Sequence, residues 1–333
     1  MRILRISVPT PDGPQARIVV QAGPHAPRVD VRRHYQLALL RRGLTGSAAL
    51  TLAAQVVPGS LALALTHGDV FLDALHAAAA DTSGDAHAGE GDLLSPIDPS
   101  TFRDFLAFEE HIVNAAGRSG GTVDPVVYDL PISYMGSAPA FIGPDAVMPW
   151  PSYAQSRMDY ELELGIVIGR GGRNILPDAA DRHILGYTVL NDFSARDIQF
   201  REMKGRLGPS KGKHFASACG PVIVTPDELD PHQLSMTARV NGEVWSQGST
   251  STLMWRVQEL VAWASTGEPL PAGTLLGTGT VGRGCGMELG RELHPGDVVE
   301  LDIEGIGVLR NPIGAPDGAG WTPSPRVPSI TSA

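Results

Sequence analysis

Two apolar runs open the chain, residues 2–8 and 16–21, and both read as strands. Apolar segments around 35–40, 48–57 and 70–79 instead follow helical spacing, the last with Leu72, Leu75 and Ala79 on one stripe. Between 81 and 91 the sequence falls to Asp, Ser, Gly, Ala and Glu with almost no bulky apolar residue, which predicts a linker or an exposed loop. Phe102, Phe105, Phe108, Ile112 and Ala116 then recur at helical spacing and predict a helix over 101–116. Short apolar runs follow at 160–168, 185–190, 221–224, 235–240, 275–280 and 298–303, divided by Gly and Pro, with one more helix over 253–264. After residue 312 Pro, Gly and Ser dominate. The pattern therefore predicts a small α/β unit at 1–95 with its linker at about 81–95, a body over 96–314, and a flexible tail over 315–333. Many strands with few helices make the body α+β and β-sandwich-like, not doubly wound.

The most informative stretch is Asp159-Tyr-Glu-Leu-Glu-Leu-Gly-Ile-Val-Ile168. As a strand it puts Tyr160, Leu162, Leu164, Ile166 and Ile168 on one face, and Asp159, Glu161 and Glu163 on the other. The apolar face belongs to a core. The carboxylate face is either the solvated side of an amphipathic strand or the oxygen set of a hard divalent cation, Mg²⁺, Mn²⁺ or Ca²⁺. Two further acids could converge on the same point. Asp192 follows the apolar run that ends at Leu190, either as a strand-mouth ligand or as an N-cap. Asp104 shares a face of the expected helix with His111, about 10 Å away along the axis at a rise of about 1.5 Å per residue.

Composition narrows the class. The chain has 333 residues, enough for a large core, and its 39 Gly and 27 Pro argue against a helix bundle. A net charge of −10 argues against nucleic acid or an anionic membrane as partner. Two cysteines are too few for a disulfide scaffold or a site built of thiolates. The apolar stretch 50–65 is interrupted by Gln55 and Pro58-Gly59, and residues 1–7 show no run of signal-peptide length, so a cytoplasmic address is expected. Gly277-Thr-Gly-Thr-Val-Gly282 matches GxGxxG with Asp302 downstream, but the Gly- and Pro-bearing sequence that follows leaves no room for the helix a dinucleotide site requires. These glycines are expected to form a tight loop.

Asp104 with His111, Tyr160-Glu-Leu-Glu-Leu-Gly165, Asn191-Asp-Phe-Ser-Ala-Arg-Asp-Ile-Gln199, Gly208-Pro-Ser-Lys-Gly-Lys213, Gly277–Gly282 and Glu288 with His294-Pro-Gly-Asp297 occur in that order. Together they resemble the fumarylacetoacetate hydrolase family over residues 100–312, nearest its fumarylacetoacetase-like branch. The resemblance implies a mixed β-sandwich or β-roll catalytic domain, usually in a homodimer. It implies Glu161, Glu163 and Asp192 as core metal ligands, Asp104 as a fourth, and Ser217 at a metal-shell position. It makes His111 and Glu288 a catalytic dyad, Arg196, Gln199 and Lys213 groups that meet substrate or its oxyanion, and Tyr134 and Thr280 substrate-binding. Met203 stands where that branch has a substrate-binding tyrosine. The implied activity is metal-dependent hydrolysis of a C–C bond in a β-diketo acid or acylpyruvate through an enolate held by the metal. The alternatives are a lyase or isomerase on the same scaffold, such as an oxaloacetate-type decarboxylase or a 2-oxo-acid hydratase, or a non-catalytic metal- or ligand-binding protein.

Overall fold

The computed structural model describes residues 1–118, 120–318 and 320–326. The expectation of a flexible tail falls in part on 327–333, outside the described residues.

The N-terminal segment forms β1 (Arg2–Val8), β2 (Gln15–Gln21), β3 (Val29–Asp30), α1 (Val31–Arg41), α2 (Gly46–Val56), α3 (Leu61–Leu65), α4 (Asp69–Ala79) and β4 (Asp92–Leu94). The next stretch holds β5 (Phe102–Phe105), α5 (Glu109–Arg118), α6 (Val126–Asp129), β6 (Ser133–Gly136), β7 (Phe141–Ile142) and β8 (Met148–Trp150). Then come β9 (Met158–Asp159), β10 (Leu162–Ile168), β11 (Ile184–Asn191), β12 (Ser194–Ala195), α7 (Arg196–Met203) and β13 (Ser217–Val224). The last elements are β14 (Ser235–Val240), β15 (Glu243–Ser249), α8 (Val257–Ser265), β16 (Leu275–Gly277), α9 (Gly286–Leu289), β17 (Val298–Ile303) and β18 (Gly307–Pro316).

Among the described residues the large sheet runs β3-β2-β1-β13-β11-β10-β16-β5-β6, with β4 on β1 and β7 on β13. A second sheet runs β15-β14-β17-β18-β8, and β9 pairs with β12. The architecture is the expected mixed α+β fold. Leu162, Leu164, Ile166 and Ile168 of β10 pack with Met236, Ala238, Leu301 and Ile313 of the second sheet into one core. Val167 of β10, with Leu185, Ile223 and Leu275, packs into another against Phe71 and Leu75 of α4. The large sheet is thus covered on both faces, which is why β10 is buried at every position. The predicted linker is tied down, since Asp30 N–H donates to the Ala86 carbonyl at 2.9 Å and Ala88 N–H to that of Arg28 at 2.8 Å.

One expectation fails. Residues 101–116 are not one helix: Phe102–Phe105 is a strand, parallel to β16 and antiparallel to β6, and the helix begins only at Glu109. A three-residue spacing of Phe102 and Phe105 fits a helix locally, but two flanking strands complete the backbone hydrogen bonds of 102–105 as a ladder. The helix then starts where Glu109 and Glu110 favour its positive end. Asp104 and His111 therefore do not share a helix face. The GxGxxG segment behaves as expected: β16 stops at Gly277, and the next helix is the single turn α9 at Gly286–Leu289.

Candidate active site

Strand register assembles the acids. Antiparallel pairing sets Asn191 opposite Leu162, which brings Asp192 beside Glu161 at the mouth of β10 and β11. On the other side β16 lies between β10 and β5, with Gly277 opposite Gly165 and alongside Asp104. A Cβ on Gly277 would sit 2.2 Å from Asp104 Oδ1 and 2.8 Å from Glu163 Oε2, so the missing side chain is what lets the two carboxylates approach. Asp104, Glu161, Glu163 and Asp192 each offer an oxygen within 4.8 Å of the others, and all four are buried. The carboxylate face of β10 is not solvated.

Asp159 leaves that row. It sits on β9 opposite Ser194 of β12, and the next residues of that segment carry Arg196 to it. Arg196 donates from Nε and Nη2 to Asp159 Oδ2 at 2.9 and 2.7 Å, pairs through Nη2 with Glu161 at 2.9 Å, and donates from Nη1 to Gln199 Oε1 at 3.0 Å. Asp159 also accepts the backbone N–H groups of Gly286 and Met287 at 2.7 and 3.0 Å, which anchors α9. Lys213 donates to Asp192 Oδ2 at 2.6 Å and to Glu161. Tyr134, opposite Asp104 on β6, donates to Asp192 Oδ2 at 2.6 Å, and Ser217 to Asp192 Oδ1 at 3.1 Å. Thr280 reaches Glu163 Oε1 at 3.4 Å.

Charge is distributed unevenly over the four acids. Burial pushes the Glu161 carboxyl up, but Lys213 and Arg196 outweigh it and hold it at about 2. Asp104 and Glu163 lie well above the ordinary carboxylate range, first through burial, then through Asp192 for Asp104 and through Asp104 for Glu163. Asp104 Oδ1 and Glu163 Oε2 are moreover buried without a nitrogen or hydroxyl donor, and meet each other as two carboxyls that can share one proton. Orphaned oxygens of this kind are costly unless something positive meets them, and four buried oxygen donors fit a hard divalent cation.

The second cluster is the predicted dyad. His111, buried on α5, has Nδ1 2.9 Å from Glu288 Oε2 on α9. Glu288 Oε1 accepts from Asn114 Nδ2 at 2.9 Å and from Arg283 N–H at 3.0 Å, and Arg118 donates to the Glu288 carbonyl at 2.6 Å. Burial raises the Glu288 carboxyl, but its bonds with His111, Asn114 and Arg283 bring it net below its ordinary value. A carboxylate only accepts, so the Nδ1 of His111 that faces Glu288 carries a proton. Cys285 Sγ lies 3.4 Å from Glu288 Oε2, and its backbone bridges Glu161, joining the two clusters.

The twelve residues to which the resemblance gives site positions, Ser217 included, thus fall around these two clusters or their immediate support. Asp159, Asn114 and Asn191, which fixes Glu161 N–H through Oδ1 at 3.0 Å, were missed as supporting groups. Asp159 stands in the same alternation as Glu161, and that pattern alone makes it one more member of the row. A cavity of about 870 Å³ opens beside Asp159 and Arg196, bordered by Arg118, Arg157, Met203 and Arg291.

A family model described as "Fumarylacetoacetate (FAA) hydrolase C-terminal" matches residues 100–314. The chain is 31% identical over 272 residues to oxaloacetate tautomerase YisK of Bacillus subtilis, covering 78% of this chain and 88% of that protein. Its fold is similar to the structure of fumarylacetoacetate hydrolase EaFAH from Exiguobacterium antarcticum, with a TM-score of 0.64 and 29% identity over 95% of this chain and 99% of that one. It is likewise similar to 5-carboxymethyl-2-hydroxymuconate delta-isomerase from Mycobacterium smegmatis, with a TM-score of 0.63 and 27% identity over 96% and 100% of the two chains. The chain belongs to the fumarylacetoacetate hydrolase family, whose enzymes generally use divalent metals. The narrower placement in the fumarylacetoacetase-like branch is not what these similarities single out, because tautomerase and isomerase names stand among them.

Proposed function

We propose that this protein moves a proton at the carbon next to the carbonyl of a 2-oxo dicarboxylic acid, as in keto–enol tautomerisation or double-bond isomerisation of an oxaloacetate-like compound. The observation that carries the reading is His111, oriented through Nδ1 by Glu288, next to four buried carboxylates. Asp104, Glu161, Glu163 and Asp192 would hold a divalent cation, Mg²⁺ or Mn²⁺ by the hardness of the donors, which would supply Lewis-acid chemistry for acidifying that C–H bond. Nε2 of His111 accepts the proton and returns it to carbon or oxygen, while Glu288 stabilises the imidazolium formed in between. Lys213 and Tyr134 hold Asp192, Arg196 holds Glu161, and the arginines bordering the adjacent cavity suit a second carboxylate on the substrate. The name of the B. subtilis relative supports this choice of substrate and reaction.

A second reading is hydrolysis of a C–C bond in an acylpyruvate, in which the same Nε2 activates water. The buried His111–Glu288 pair and the name of the E. antarcticum neighbour favour it. The homodimer and the cytoplasmic setting expected from the sequence belong to the proposal as well. The deciding experiment follows enol absorbance and proton NMR of oxaloacetate, and of a small acylpyruvate panel, with Mg²⁺ and with EDTA. Faster enol–keto exchange that EDTA abolishes, without CO₂ or a second acid, is expected. Pyruvate plus a carboxylic acid from an acylpyruvate would replace tautomerisation by hydrolysis, and no acceleration on any compound would overturn both.

A further inference from the structure

We propose that His111, Cys285 and Glu288 form a second metal site, distinct from the four-carboxylate cluster, that takes a thiophilic divalent ion such as Zn²⁺ and thereby switches the enzyme off. One nitrogen, one sulfur and one oxygen donor lie within 4.8 Å of one another, and all three residues are buried. Their spacing is that of ligands sharing one ion. With Zn–N and Zn–O near about 2.0 Å and Zn–S near about 2.3 Å, tetrahedral ligand atoms stand about 3.3 Å apart for N and O and about 3.5 Å apart for S and O. Here His111 Nδ1 is 2.9 Å and Cys285 Sγ is 3.4 Å from Glu288 Oε2, so small side-chain adjustments suffice. The outer shell is already built. Glu288 Oε1 is held by Asn114 and by the Arg283 N–H, which aims Oε2 at the other two donors.

The donor sets separate the two sites chemically. Four carboxylates prefer hard Mg²⁺ or Mn²⁺, whereas an imidazole, a thiolate and one carboxylate prefer Zn²⁺ or Co²⁺. The proton balance explains why binding is inhibitory. A metal on Nδ1 takes the place of the proton given to Glu288, and that proton moves to Nε2, so His111 stays neutral with its basic nitrogen blocked. Cys285 binds as thiolate and releases its proton to solvent, one per metal bound. Metal binding rests on the geometry alone, and only its inhibitory consequence rests on the reading of His111 as the base.

The test uses Co²⁺ as probe on the full chain with its carboxylate cluster saturated by Mg²⁺. A thiolate-to-cobalt charge-transfer band with one equivalent bound and one proton released is expected. The band should vanish in Cys285→Ser, persist in Cys219→Ser, and require about tenfold or more cobalt in Asn114→Ala. Zn²⁺ should suppress turnover in the presence of excess Mg²⁺, and Cys285→Ser, referred to its own zinc-free rate, should shift that suppression by about tenfold or more. Thermal melting of Cys285→Ser and Asn114→Ala separates loss of the site from loss of the fold. Absence of the band, or a band unchanged in Cys285→Ser, overturns the site. Zinc suppression unchanged in Cys285→Ser overturns the switch. A band of the expected behaviour in a protein that turns over neither oxaloacetate nor an acylpyruvate leaves the site standing and sinks the functional reading instead.

Discussion

Four carboxylates buried within reach of one another need cations, and at residue scale the chain supplies them unequally. Lys213 and Arg196 serve Glu161 and Asp192, while Asp104 Oδ1 and Glu163 Oε2 are left without a nitrogen or hydroxyl donor. Arg196 in turn depends on Asp159, the acid whose importance the alternation of 159–168 did not disclose. Removing one partner of a buried pair typically costs about 3–5 kcal/mol, because the other charge stays buried and uncompensated. Asp159→Ala also strands the N–H groups of Gly286 and Met287, so we expect a loss of that order in a denaturant titration. His111→Ala should behave differently. It should lower the proton-transfer rate by about 10²–10⁴-fold and leave Mg²⁺ binding, measured by calorimetry, nearly as it was. The acids and the histidine were legible in the sequence because side-chain alternation and short motifs name them. Asp159, Asn114 and Asn191 were not, because their partners lie 37, 174 and 30 residues away and no local pattern records such a pairing.

Elements decide how near the acids come. The expected helix over 101–116 would have carried Asp104 away from the site. The strand that replaces its first turn sets Asp104 beside Gly277, and Gly277 beside Gly165. Gly277→Ala should therefore fold with a penalty of about 1–3 kcal/mol from overpacking and lose divalent-ion affinity, with thermal melting and calorimetry reading the two effects separately. Gly279 of the same loop is more constrained, at φ +81° with its Cβ direction 2.2 Å from the Phe105 carbonyl. A second element-level device is the turn before Lys213. Glu202 near the end of α7 accepts the N–H groups of Ser210, Lys211 and Gly212 at 2.9–3.0 Å. Burial raises its carboxyl, yet these three bonds bring it net below its ordinary value of 4.5. A lowered carboxyl contributes stability that is complete above the unfolded value and lost as pH falls through the folded one. The protection of those three amides, measured against an unfolded chain at the same pH, should therefore fall as pH drops below 4.5, and should be weak at neutral pH in Glu202→Gln.

At the scale of the whole molecule, the first 95 residues are a cover. β1 extends the large sheet through Arg2 and Ile3 on Val224 and Ile223, and α4 packs on the face that carries Val167 and Leu275. β1 and β2 were legible as apolar runs, but the short β3 and β4 were not, nor that these strands continue the sheet of the body, since sheet order is set by contacts far apart in sequence. A chain starting at residue 96 would bare that apolar face and the edge of β13, and we expect it to aggregate in size-exclusion chromatography. No helix among the described residues is long and apolar enough to cross a membrane.

The two orphaned oxygens carry one more consequence. A fold that leaves Asp104 Oδ1 and Glu163 Oε2 without a donor would be more stable with a cation between them, so ion binding should be linked to folding. A ligand that binds only the native state adds about 2.7 kcal/mol at a hundredfold excess over its Kd, and the melting temperature should climb with the logarithm of Mg²⁺ or Mn²⁺ concentration. A melting temperature indifferent to both ions would count against the cluster as their seat. The affinity should in that sense be written into the melting curve, and on the proposed function a shortage of the ion should lower stability while the site is still nearly full.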